Sequence, residues 1–219
     1  MTILEAIEQR HSVRQYKEKP IEAELVTKLN TEIEAINKES GLHIQMFLNE
    51  PEAFQANKTS YGQFSGCRNY FAIVGKKGMD EEVDYYGQKL VLFAQQLGLN
   101  TCWVAMTYKK GKVTPQIGGG EKLYIVIALG YGQTQGESHK LKDVSAVSDL
   151  AADAPEWYRN GIRAALLAPT AINQQKFRFT RSGTNVSVKA GMGFYTKIDL
   201  GIVKYNFEIG AGKENFSWA

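Results

Sequence analysis

Apolar positions recur along this chain with two periods, and the switches between them outline the elements. Ile3, Ala6 and Ile7 fall on one helical face, and Thr2-Ile3-Leu4-Glu5 has the form of a capping box. A helix is therefore expected to begin almost at once and to fray near Arg10. Pro20 suits the first turn of a second helix, in which Leu25, Leu29, Ile33 and Ile36 repeat at helical spacing. From Leu42 to Leu48 the period becomes two, as in a half-buried strand. Residues 69–75 and 123–129 are almost wholly apolar and read as buried strands, the second closed by Gly130. Between them, Val83, Tyr86, Leu90, Phe93, Ala94 and Leu97 line one helical face, which Gly98 ends. A short strand follows over 101–105. Asp153 and Pro155 open a further helix that runs to Pro169. Residues 177–180 and 185–190 form a hairpin across Ser182-Gly183, and Ile198, Ile202, Tyr205 and Ile209 mark a last helix. The polar stretches 51–66 and 109–121 read as loops, the first an excursion. Helices and strands mix without strict alternation. This predicts an α+β fold, an antiparallel or mixed sheet flanked by helices, in a single domain over 1–219.

Composition narrows the function classes. A net charge of +3 over 219 residues argues for neither nucleic acid nor an anionic membrane. No apolar run approaches the ~20 residues that span a bilayer. Residues 1–10 lack the basic start and apolar stretch of a signal peptide. The two cysteines, Cys67 and Cys102, are far apart and in no CxxC pair. The expected setting is cytoplasmic, with both thiols reduced. His11, His43 and His139 are not spaced with cysteine as metal ligands are, so no metal is expected.

Three strings carry candidate chemistry. Arg10, Ser12 and Arg14 alternate along an extended segment, where two guanidinium forks and a hydroxyl suit a phosphate. A basic helix end in solvent gives the same residues. Ala168-Pro169-Thr170-Ala171-Ile172-Asn173-Gln174-Gln175 joins small residues to amides, and Asn173 and Gln175 match the mixed edge of a flavin pyrimidine ring. A helix stop capped by amides reads equally well. Gly98-Leu99-Asn100-Thr101-Cys102-Trp103 is a helix-to-strand junction that offers backbone amides to a ligand, or simply turns. With no histidine nearby, Cys102 is not read as a nucleophile. Gly130-Tyr131-Gly132 lacks the third glycine of a dinucleotide fingerprint.

Together these strings resemble the nitroreductase family of FMN-dependent flavoproteins. Arg10, Ser12, Arg14 and Tyr16 match its Arg-x-Ser-x-Arg-x-aromatic signature, and residues 168–175 with Phe177-Arg178-Phe179 resemble its Ala-Pro-Ser-x-x-Asn-x-Gln-Pro-aromatic string. Residues 98–103 are similar to its Gly-Leu-Gly-Thr-Cys-Trp segment, and Asp199-Leu200-Gly201-Ile202 recurs in small members. Thr170, Lys176 and Asn100 depart from the usual serine, proline and glycine. The Ala-Pro string follows Trp103 instead of preceding it, as in a small subgroup with permuted motif order. The resemblance implies a nitroreductase-like sandwich and a homodimer that binds FMN. It implies that Arg10, His11, Ser12 and Arg14 hold the phosphate and ring-edge oxygens. Pro169, Thr170, Ala171, Asn173 and Gln175 would lie against the ring, and Thr101, Cys102, Trp103 and Val104 would complete the site. The implied reaction is ping-pong hydride transfer from NAD(P)H to an electron-poor acceptor such as a nitroaromatic or quinone. The flavin carries the hydride and no side chain acts as catalytic acid or base. Reductive dehalogenation and simple flavin storage are the alternatives.

Overall fold

The computed structural model describes residues 1–55, 63–193 and 196–219. Its contacts fall into two compact units, each discontinuous in sequence. The first comprises residues 1–8, 80–89 and 138–219, and the second residues 9–79 and 90–137.

The second unit is built on a four-stranded antiparallel sheet in the order β1-β2-β4-β3. Its strands are β1 (His43–Phe47), β2 (Asn69–Lys76), β3 (Asn100–Val104) and β4 (Glu121–Gly130). The two apolar runs of the sequence, β2 and β4, are the inner strands. A strand covered on both faces needs side chains that bury in both directions, and β2 is buried from Asn69 to Gly75. Helix α2 (Ala23–Ser40) packs on β1 through this unit, burying Leu29, Ile33 and Ile36. It ends where Gly41 adopts φ 72°, and the Gly41 N–H donates to the Asn37 carbonyl. Val13, Tyr16, Phe54, Phe64, Cys67, Tyr70, Cys102 and Val104 share one hydrophobic cluster.

In the first unit, α1 (Ile3–Gln9, all but its last residue) begins with the expected reciprocal box. The Thr2 N–H donates to Glu5 Oε2 at 2.7 Å and the Glu5 N–H to Thr2 Oγ1 at 3.2 Å. Helix α3 (Asp80–Gln96) brings its first ten residues to this unit. A short α4 (Val144–Val147) precedes α5 (Glu156–Leu166), which packs on α6 (Thr196–Ala211). The hairpin β5 (Phe177–Ser182) and β6 (Asn185–Ala190) is joined by β7 (Ser217–Trp218), which runs parallel to β6. Phe207 stacks on Phe179 with centroids 4.7 Å apart, and a side chain at Gly161 would strike the Phe207 ring at 2.6 Å.

Several expectations need correction. Pro20 lies ahead of α2 instead of in its first turn, because the helix starts only at Ala23, and it continues to Ser40. The alternation over 42–48 is a strand, but Leu48 is exposed and Phe47, on the supposed polar side, packs on the core. The face read on α3 is only part of its buried surface: Asp84, Gln88 and Gln95 are buried too. The 51–66 stretch is polar in composition, yet Ala53, Phe54 and Phe64 anchor it, with the two rings 5.0 Å apart. Its residues 56–62 lie outside the described residues. Helix α4 and strand β7 are too short to leave a periodic signal.

Gly201 on α6 meets α3 backbone to backbone: an added Cβ would lie 2.1 Å from the Glu81 carbonyl and 2.5 Å from the Tyr85 nitrogen. Neither atom can swing aside as a flexible side chain would. Gly201→Ala is expected to cost about 1–3 kcal/mol in urea denaturation, and an unchanged midpoint would show that the helices do not meet at this residue.

Candidate functional site

Strand β3 is the outermost of its sheet, so one edge of its backbone faces away from β4. The segment after α1 closes that edge. Ser12 forms a parallel bridge with Thr101, and the Val13 N–H donates to the Thr101 carbonyl at 3.1 Å. Further along, Tyr16 donates to Ser65 and Lys17 to Tyr131, each at 2.8 Å. Val13 and Tyr16 are buried in the hydrophobic cluster and fix the register.

This docking gathers Arg10, Ser12 and Arg14 around Cys102. The Ser12 hydroxyl hydrogen-bonds the thiol, and the charges of Arg14 and Arg10 act on it. Burial nevertheless outweighs them and keeps the Cys102 thiol above its ordinary range, so it stays protonated. Cys67, also free, is pushed up to about 12 by burial. Arg10 is the unusual member. It is 3 % exposed, and its Nη1 has no hydrogen-bond partner. Desolvation lowers its pKa to about 10, and no carboxylate opposes that loss. A buried guanidinium without a counter-charge is costly, and no carboxylate among the described residues is paired with Arg10. Thr101 Oγ1 and Trp103 Nε1, two residues apart on β3, are also buried and unpartnered. Cys102 and Val104 alternate with them and point into the hydrophobic cluster. His11 is half-buried beneath Gly136, where an added Cβ would come within 2.8 Å of the His11 Cβ.

The other predicted string lies in the first unit. Helix α5 ends at Leu166, and past Pro169 the chain enters a tight turn at Ala171–Asn173. Ile172, Asn173 and Gln175 all have positive φ, at 48°, 55° and 42°. For a β-branched residue such as Ile172 this is a genuine outlier. Strain of that kind persists only where the surroundings over-determine it, and here they do. The Thr170 carbonyl accepts from the Asn173 N–H at 2.9 Å, and Thr170 Oγ1 accepts from the Gln175 N–H at 3.0 Å. Asn173 Nδ2 and Gln175 Nε2 both donate to the Lys140 carbonyl, at 3.0 and 2.8 Å. Gln175 Oε1 accepts from the Lys142 N–H at 3.0 Å. The two amides singled out for a ring edge thus bind the turn to the segment at 140–142, and Gln175 is buried.

One residue of this network was quoted in the sequence only as part of a string. Asp199 of α6 accepts from the Ala171 N–H on Oδ1 at 3.0 Å and from Gln174 Nε2 on Oδ2 at 3.1 Å. Burial raises its pKa to about 6 against those two bonds. Its sequence signal is a carboxylate in the first turn of a helix whose following residues are largely apolar. Asn100 was likewise missed: its Oδ1 accepts from the Gly132 N–H and its Nδ2 donates to Gln135, each at 2.9 Å. The structure therefore brings Arg10, Ser12, Arg14, Thr101 and Cys102 together in one unit. It brings Pro169, Thr170, Ala171, Asn173 and Gln175 together in the other.

No curated protein matches the chain. Among solved structures, one described as a "putative nitroreductase" from Thermotoga maritima superposes with a TM-score of 0.67 at 22% identity, covering 98% of this chain and 85% of its own. A "putative NADH oxidase" from Clostridium acetobutylicum gives a TM-score of 0.50 at 16% identity, over 68% of this chain and 99% of its own. A third, from Desulfovibrio desulfuricans and described as a "putative nitroreductase in complex with FMN", gives 0.49 at 15% identity, over 71% of this chain and 98% of its own. The first likeness shows a shared fold. The family model described as "Putative TM nitroreductase" matches residues 2–211, and the chain belongs to that nitroreductase family of oxidoreductases.

Proposed function

We propose that this chain is an FMN-dependent NAD(P)H oxidoreductase acting as a homodimer. The observation that carries the reading is Arg10, a buried cation with an unpartnered Nη1 beside Ser12 and Arg14. A phosphate dianion is the group these donors fit: two guanidinium forks and a hydroxyl can satisfy its oxygens while its charge offsets the burial of Arg10. Ser12 is held in register by the bridge to Thr101, so the hydroxyl is oriented before any ligand arrives. Thr101 Oγ1 and Trp103 Nε1, buried and unpartnered on the alternate positions of β3, and His11 are further donors in this unit for other parts of the cofactor. The chemistry that bound FMN supplies is hydride transfer in two halves, from NAD(P)H and then to an electron-poor acceptor such as a nitroaromatic or quinone.

The turn of the first unit is proposed as a ring-binding element. Its backbone at Pro169, Thr170 and Ala171 carries small side chains, and Asn173 and Gln175 fix its course. The part of Gln175 in this reading is to hold the turn, since its amide is already bonded on both sides. Flavin storage without turnover is the second reading, and only the donor and acceptor reactions separate it.

Two outcomes are expected. The purified protein retains FMN through dialysis and is bleached by NADPH or NADH without oxygen; a colourless protein that takes up no FMN on titration overturns the proposal. Arg10→Ala and Arg14→Ala each weaken FMN binding by about 10- to 100-fold, equivalent to ~1.5–3 kcal/mol for a charge-assisted contact, as read by quenching of flavin fluorescence. Arg10→Met, which keeps most of the side chain's volume without its charge, should at the same time raise the melting temperature of the flavin-free protein, because it removes an uncompensated buried charge. A flavin affinity unchanged by both substitutions would remove the arginines from the site.

A further inference from the structure

Asp199 stands where it controls the strained turn from both ends. The left-handed pair Ile172–Asn173 is preceded by Ala171, whose N–H donates to Oδ1, and followed by Gln174, whose Nε2 donates to Oδ2. A carboxylate can accept on both oxygens at once. The protonated acid keeps one good acceptor, its carbonyl oxygen, while the oxygen that carries the proton accepts only weakly, so one of the two bonds is weakened. Both bonds span from α6 to the turn, so they tie a rigid helix to a segment whose backbone is strained.

We propose that Asp199 is the positioning residue of the proposed flavin-binding turn: its carboxylate clamps residues 171–174 in their left-handed course, and its protonation releases one side of the clamp. The inference rests on the reading of that turn as a flavin contact. The group titrates where this matters. Burial brings it to about 6, with the Ala171 and Gln174 bonds pulling the other way. On α3, Asp84 is fully buried with both oxygens unpartnered, and burial, then the charges of Asp199 and Asp80, keep it well above the carboxylate range and hence neutral. Glu81 of α3 is ion-paired with Lys204 of α6. On the side of the turn, Lys142 Nζ donates to the Gln175 carbonyl at 3.3 Å. None of these groups forms an ion pair with Asp199 among the described residues.

The test compares the wild type with Asp199→Asn, which imitates the protonated state, and with Asp84→Asn. In the flavin-free protein, exchange of the Ala171 amide is followed by NMR from pH 5 to 8 and corrected for the intrinsic rate. Protection in the wild type should fall about tenfold through pH 6, that of Asp199→Asn should not change with pH over this range, and that of Asp84→Asn should follow the wild type. Affinity is then measured over the same range with FMN and with riboflavin, which lacks the titrating phosphate. The wild-type affinity for both should fall by about tenfold towards pH 5, the scale of one charge-assisted hydrogen bond. Asp199→Asn should lose this dependence for riboflavin. Wild-type amide protection that is independent of pH, or a pH dependence that persists in Asp199→Asn, overturns the proposal. Absence of flavin binding at every pH, with amide protection behaving as expected, instead overturns the functional reading and leaves the clamp standing.

Discussion

An antiparallel sheet that stops at β3 leaves a row of backbone donors and acceptors without partners, and such an edge must be covered or it invites pairing with another chain. This chain covers it at Thr101 with Ser12 and Val13, and the same segment runs on to pair with Ser65 and with residues 131–133, Val13 and Tyr16 being anchored in the hydrophobic cluster. The consequence is chemical as well as structural. Side chains alternate along an extended segment, so Ser12 and Arg14 lie on the other side of it from Val13, and Arg10 is buried as well. The register that closes the sheet is therefore the register that assembles the cationic site. One slip of a single residue would bury a different set and scatter the guanidinium groups.

The turn after α5 follows a different logic. There the backbone itself is the costly feature, with a β-branched residue in the left-handed region. Amide and carboxyl side chains hold it from two directions: Asn173 and Gln175 towards the 140–142 segment, Asp199 from α6. Ile172 is 75 % exposed, so no packing of its own explains its conformation. A turn held this firmly presents its backbone in one arrangement.

Much of this was legible in the residues. The capping box at Thr2 and Glu5, the apolar runs at β2 and β4, and the glycine stop after α3 each express a local preference that tertiary structure did not override. The basic string was legible too, because alternation of Arg10, Ser12 and Arg14 survives any docking that keeps the segment extended. Asp199 was not, since its importance lies in two bonds to residues 25 and 28 positions away, and nothing local distinguishes it from a first-turn carboxylate that favours the helix dipole. Gln175 was read as a ligand group because amides offer donors and acceptors to any partner. Its burial against Lys140 and Lys142 depends on a contact 33 residues away that leaves no periodic trace. The aromatic anchors at Phe54 and Phe64 were hidden by the polar composition around them.

Arg10 and Asp199 have opposite charges but pose the same thermodynamic problem. Arg10 has its pKa lowered from 12.5 to about 10 on folding, so its charged form disfavours the folded state at every pH below about 10. Asp199 has its pKa raised from 3.8 to about 6, so its charged form disfavours the folded state above about 6. Between about 6 and 10 both penalties act together. Each is on the order of 3 kcal/mol, a large fraction of a typical domain's stability. Neutral pH is thus where the ligand-free chain bears the most cost at these two groups. A fold under no other demand could relieve Arg10 with a neighbouring carboxylate and Asp199 with a neutral amide. Retaining both charges makes sense where each has a task that the neutral residue cannot perform: Arg10 to meet an anion that offsets its burial, and Asp199 to accept two hydrogen bonds at once.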